Sequence, residues 1–212
     1  MVNSENIKKF FEWINNNKIE YVLIKNDEEH IPDKVLDGND IDILVHPSDY
    51  DRYLKLIQKN GYKVLSGESS KYYFVYNMRK DIYAQKEDVY IHAYDKLSCV
   101  SFTNMGLSKI PLDKKIQEFI WETKKWDSKN KWWITDDRII LLYLIVRSIF
   151  DKKKFREIYI NEIEKRNSII NDTKFIELCY FVFFKFTPIL LELIKNQEYD
   201  IILRKYKCFK NY

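Results

Sequence analysis

The reading turns on the stretch YVLIKNDEEHIPDKVLDGNDIDILV, residues 21–45. It opens as a short apolar run, Tyr21 to Lys25, and crosses a polar segment broken by Pro32 and Gly38. It then returns as Asp40-Ile41-Asp42-Ile43-Leu44-Val45. Apolar, β-branched runs bounded by such breakers read as strands. Side chains alternate along a strand, so Asp40 and Asp42 share one face while Ile41 and Ile43 share the other. Two ionised carboxylates held side by side repel each other, and a divalent cation between them relieves the repulsion. Mg2+ (or Mn2+) takes hard oxygen ligands of this kind and keeps positions for phosphate oxygens, which phosphoryl and nucleotidyl transfer require. The plainer alternative is that Asp40 ends the strand and Asp42 is solvated on a half-buried sheet.

Upstream, residues 4–17 place Ile7, Phe10, Phe11 and Ile14 on one helical face, with Ser4 as the cap. Downstream, Pro47-Ser48-Asp49 opens a second helix, with Ser48 as cap, an inner stripe of Tyr50, Tyr53, Leu54 and Ile57, and Gly61 as terminator. Residues 62–65, 71–78, 81–85 and 89–94 read as strands, antiparallel because their connections are short, with a further strand near 99–103. The pattern changes after Ile110-Pro111. Residues 112–124 read as a helix and Trp132-Trp133-Ile134 as a short extended piece. Thr135 caps a helix reaching Phe150, and helices follow at 155–166, 172–187 and 189–206. This order predicts an α+β fold, a mixed sheet with flanking helices over residues 1–110, followed by a helical subdomain over 111–212.

Composition narrows the classes. Of 212 residues 46% are hydrophobic and 32% charged, which suits a folded globular chain rather than a disordered one. Thirty-six basic against 32 acidic residues give a net charge of +4. That is too mild to point to a nucleic-acid partner and is compatible with a nucleotide. The three cysteines, Cys99, Cys179 and Cys208, form no CxxC pair and read as reduced thiols of a cytoplasmic protein. The apolar run Phe175–Ile194 has the length of a membrane span, but it carries Glu177, Lys185, Pro188 and Glu192, so it reads as a helix in a protein core. Oligomeric state is not encoded in any of these features.

The succession helix, strand, loop, DIDILV strand, helix resembles the core of the DNA polymerase beta nucleotidyltransferase superfamily. Asn26-Asp27 stands where that superfamily has a Gly-Ser turn, and 12 residues, 28–39, separate it from Asp40. The segments YIHAYDKLSC, IPLDKKIQEF and WWITDDRIILLYLIVRSIFDKKKF extend the likeness over about residues 5–165. They resemble a divergent bacterial branch found among capsule and other surface-polysaccharide genes.

The resemblance implies an Mg-dependent nucleotidyltransferase moving a nucleoside monophosphate from a triphosphate to a small-molecule or glycan-precursor acceptor. It implies Asp40 and Asp42 as metal ligands and a third acid on a later strand. By alternation Asp88, Tyr90, His92 and Tyr94 share a face, which makes Asp88 the first candidate and Asp95 the second. His92 is either a hydrogen-bonded sheet residue or a metal ligand, general base or phosphate contact. Lys25, Asn26 and Asn39 flank the acid pair as nucleotide contacts. Arg147 and Lys153 are the cations that a helical subdomain would supply by analogy. Two other readings remain: a toxin-type nucleotidyltransferase acting on RNA or protein, and a non-catalytic scaffold of the same fold.

Overall fold

The computed structural model describes residues 2–24, 31–33, 35, 39–66, 79, 81–100 and 109–210. The chain divides into two compact units that interleave in sequence. The first comprises Met1–Leu97 and Thr123–Thr135, the second Ser98–Glu122 and Asp136–Tyr212.

The first unit is built on a mixed sheet. Its strands are β1 (Tyr21–Leu23), β2 (Asp40–Val45), β3 (Lys63–Ser66), β4 (Ile82–Lys86), β5 (Val89–Tyr94), β8 (Lys125–Asp127) and β9 (Trp132–Ile134), in the order β3-β4-β5-β2-β1-β9-β8. β2 lies inside the sheet, antiparallel to β1 and parallel to β5. Its burial on both sides explains why Ile41, Ile43, Leu44 and Val45 are all apolar. Leu23 of β1 pairs with Ile134 of β9, and Thr135 donates its N–H and its hydroxyl to the Leu23 carbonyl.

Two helices belong to this unit. α1 (Ser4–Asn16) buries the expected Ile7, Phe10, Phe11 and Ile14, and the rings of Phe11 and Trp132 lie 4.5 Å apart in the core. α2 (Tyr50–Lys59) buries Tyr50, Tyr53 and Ile57. It ends at Gly61, whose φ of +82° is a left-handed backbone that only glycine adopts cheaply. Two caps differ from expectation. Asn3, not Ser4, caps α1 by accepting from the Glu5 N–H, while Ser48 pairs with His46 Nδ1 at 2.7 Å rather than capping α2. Asn, Ser and Asp compete closely for such positions, so adjacent candidates exchange at little cost.

The second unit is mostly helical. It holds the hairpin β6 (Ser98–Val100) and β7 (Lys109–Pro111), then α3 (Lys114–Thr123, whose last residue falls in the first unit) and α4 (Asp137–Val146). Asp136 rather than Thr135 caps α4, accepting from the Arg138 N–H, because Thr135 is tied to β1. A π-turn over Arg147–Asp151 ends α4, and α5 (Glu157–Lys165), α6 (Thr173–Phe183), α7 (Thr187–Lys195) and α8 (Tyr199–Cys208) follow. The apolar run 175–194 is broken between α6 and α7 at Phe184, where φ is +47°. The expected helix over 189–206 splits in the same way at Gln197, with φ of +59°. Among the described residues no helix is long and apolar enough to cross a membrane. Cys99 and Cys179 are buried free thiols and Cys208 is exposed; burial pushes the Cys99 thiol up to about 12. The expected strand at 71–78 lies outside the described residues.

Candidate metal centre

The centre is assembled by register. β2 and β5 run parallel with Asp40 opposite Tyr90 and Asp42 opposite His92, so both acids and the imidazole rise from one face. His92 Nδ1 lies 3.4 Å from Asp40 Oδ2 and 3.2 Å from Asp42 Oδ1. Asp42 and His92 are buried, whereas the Asp40 side chain is 40% exposed and forms the open side of the group.

A third carboxylate reaches the same ring from its far end. β4 pairs antiparallel with β5, placing Tyr83 opposite His92 and, two residues earlier on the same face, Asp81 diagonal to it. Asp81 is buried, and its Oδ2 lies 3.2 Å from His92 Nε2. A carboxylate only accepts, so Nε2 carries the hydrogen. Tyr83 stacks on the imidazole with centroids 3.8 Å apart and planes at 18°, and Tyr94 tilts against it at 4.3 Å. Burial opposes a charge on His92. Its contacts to Asp40, Asp42 and Asp81 outweigh that and raise its pKa from 6.5 to about 9.

The donor set fits a divalent cation. The ligand atoms of Asp40, Asp42 and His92 lie within 4.8 Å of one another. Ligands about 2.1 Å from one ion stand roughly 3 to 4.2 Å apart, so small side-chain rotations close the group.

The other expected site residues fall elsewhere. Asp88, the first candidate for the third acid, sits in the turn between β4 and β5 and accepts from the Asn3 N–H at 2.6 Å and the Asn6 amide at 2.9 Å. Those bonds hold its carboxyl below the usual carboxylate value and tie it to the start of α1. Asp88 precedes the first residue of β5, where strand alternation no longer governs it, and the structure does not bring it together with Asp40 and Asp42. Asp95 accepts from the Arg79 N–H at 3.0 Å, with the guanidinium 3.8 Å away. The acid at His92 is Asp81, which alternation along β5 alone does not find.

Asn39 is exposed beside Asp40, and Lys25 and Asn26 lie outside the described residues. In the second unit Arg147 opens the π-turn with Nε 3.7 Å from Asp151 and its guanidinium near the rings of Tyr143 and Tyr159. Lys153 is exposed with φ of +53°.

No family model matches the chain, and no curated protein matches it. Among solved structures it is similar to the solution structure of the antibiotic-resistance factor ANT(2'')-Ia, an aminoglycoside nucleotidyltransferase. The TM-score is 0.52 at 10% identity, over 92% of this chain and 97% of that one. The chain has a nucleotidyltransferase-like fold. Within this nucleotidyltransferase-like fold the acid pair stands on an inner strand of the first unit's sheet, with an imidazole on the neighbouring parallel strand.

Proposed function

We propose that the chain is a metal-dependent nucleotidyltransferase. The observation that carries this reading is the convergence of Asp40, Asp42 and His92 on one face of the sheet of such a fold. Asp40, Asp42 and His92 would hold the cation, Mg2+ or Mn2+. Once bound, such an ion polarises a phosphoryl oxygen and offsets charge developing on the phosphate. An acceptor oxygen would bond to the α-phosphorus as the bond to pyrophosphate breaks, with a hydroxyl proton passing to solvent. Lys25, Asn26, Asn39, Arg147 and Lys153 are the proposed triphosphate contacts. The proposed acceptor is a small molecule or glycan precursor, and the proposed setting is bacterial surface-polysaccharide synthesis in the cytoplasm.

One observation favours a second reading. The His92 ring lies 3.4 and 3.2 Å from Asp40 and Asp42 and so bridges the acid pair within the protein, an arrangement that a non-catalytic binding protein of this fold would also keep.

The test is calorimetric titration with each of the four nucleoside triphosphates in Mg2+ or Mn2+, followed by a pyrophosphate-release assay with sugar-phosphate and polyol acceptors. Metal-dependent binding of one triphosphate, abolished in Asp40→Asn/Asp42→Asn, together with pyrophosphate release, supports the transferase. Binding without release across the acceptors favours the non-catalytic reading. No binding by a folded protein under any of these conditions overturns the transferase reading.

A further inference from the structure

The contact between Asp81 and His92 narrows the choice of metal. Asp81 keeps the hydrogen on Nε2, so a cation entering between Asp40 and Asp42 would displace the other ring proton, the one on Nδ1, to solvent and meet the Nδ1 lone pair. Nδ1 is also the nitrogen that faces Asp40 and Asp42. The ring is held in this orientation by Asp81 at one edge, the Tyr83 ring stacked on its face and Tyr94 tilted against it. A buried carboxylate behind a histidine orients the imidazole and raises its basicity toward a metal on the other side. Mg2+ strongly prefers an all-oxygen shell, whereas an imidazole among carboxylates suits a softer divalent ion of the first transition row.

We propose that Asp81 is a positioning residue that presents His92 Nδ1 as the third ligand beside Asp40 and Asp42, and that this mixed nitrogen–oxygen centre takes Mn2+-class ions in preference to Mg2+. The inference rests on the metal-centre reading above and adds to it the ligating nitrogen of His92, the residue that supports it and the class of ion.

The probe is Mn2+ alone, added to the full chain. Electron paramagnetic resonance counts free and bound ion, and its pulsed form detects a 14N nucleus bonded to Mn2+. Wild type is expected to show 14N coupling and to resist displacement by a tenfold excess of Mg2+. His92→Asp is expected to lose the coupling and to shift preference toward Mg2+. Asp81→Asn should weaken Mn2+ binding about 10- to 100-fold, as loss of such a supporting carboxylate commonly does, and Asp81→Glu should recover part of the affinity with the coupling intact.

Circular dichroism identifies variants that fail to fold. If the Asp81 variants do not fold, the wild-type coupling and His92→Asp still decide whether His92 is a ligand. Bound Mn2+ without 14N coupling overturns the inference and leaves the carboxylate metal site standing. Unchanged affinity in folded Asp81→Asn removes the positioning role. No Mn2+ binding by folded wild type overturns the metal-centre reading itself.

Discussion

His92 is the residue on which the first unit's charge balance turns. Asp42 and Asp81 are both buried, and they contact opposite nitrogens of the one imidazole. Removing one partner of a buried ion pair costs about 3 to 5 kcal/mol, because the charge left behind has lost both water and its counter-ion. His92→Gln is therefore expected to lower unfolding stability by about 3 kcal/mol in a urea titration. Asp81→Asn in the same background should cost much less than it does in wild type, since one uncompensated carboxylate is then removed. A double-mutant cycle measures this as a coupling of at least about 1 kcal/mol. Additive single effects would mean that the contact contributes nothing to stability.

At the scale of elements, Asp88 joins the β4–β5 turn to the first turn of α1 through Asn3 and Asn6. Its pKa is depressed in the folded state, first by the Asn6 side chain and then by the Asn3 backbone. A depressed carboxylate contributes stability at pH values above its unfolded pKa of about 3.8, and that contribution is lost as pH falls through the folded value. Asp88→Ala is expected to cost about 1 kcal/mol or less at pH 7, since the contact is open to solvent, and the gap from wild type should close in acid. A gap that persists unchanged at pH 2 would assign the effect to packing instead. The same residue shows where reading the sequence stops. Asp40 and Asp42 were legible because strand alternation is local, and so was the stripe on α1. Asp81 needed the register of a hairpin. Counting outward from the Glu87-Asp88 turn sets Lys86 against Val89 and Tyr83 against His92, which brings Asp81 diagonal to the ring. That signal was present, but it depends on the turn being two residues long, and alternation on one strand does not supply that length. The parallel pair between Leu23 and Ile134 had no local signal at all, because parallel partners are joined by a distant crossover.

At the scale of the whole molecule, the chain passes between its two units three times, after Leu97, after Glu122 and after Thr135. The change of pattern at Ile110-Pro111 marks where helices begin to dominate, yet the β8–β9 hairpin lies beyond it and completes the first sheet. That hairpin covers the outer edge of β1 and carries Trp132, which is 2% exposed against Phe11. A fragment of residues 1–110 would lose both, leaving the paired edge of β1 bare and a large hole beside α1. Loss of a buried tryptophan alone costs about 3 to 5 kcal/mol, a large share of the 5 to 15 kcal/mol by which domains are stable. The exposed strand edge would also recruit other chains. The fragment 1–110 is therefore expected to aggregate or to unfold without a cooperative transition. Residues 1–97 joined through a short Gly/Ser linker to 123–135 should melt cooperatively and retain near-ultraviolet circular dichroism from Trp132. Calorimetry on the two fragments side by side decides the matter. A cooperative transition in 1–110 equal to that of the linked fragment would show that the hairpin is dispensable and that the boundary at 110 describes an independent domain.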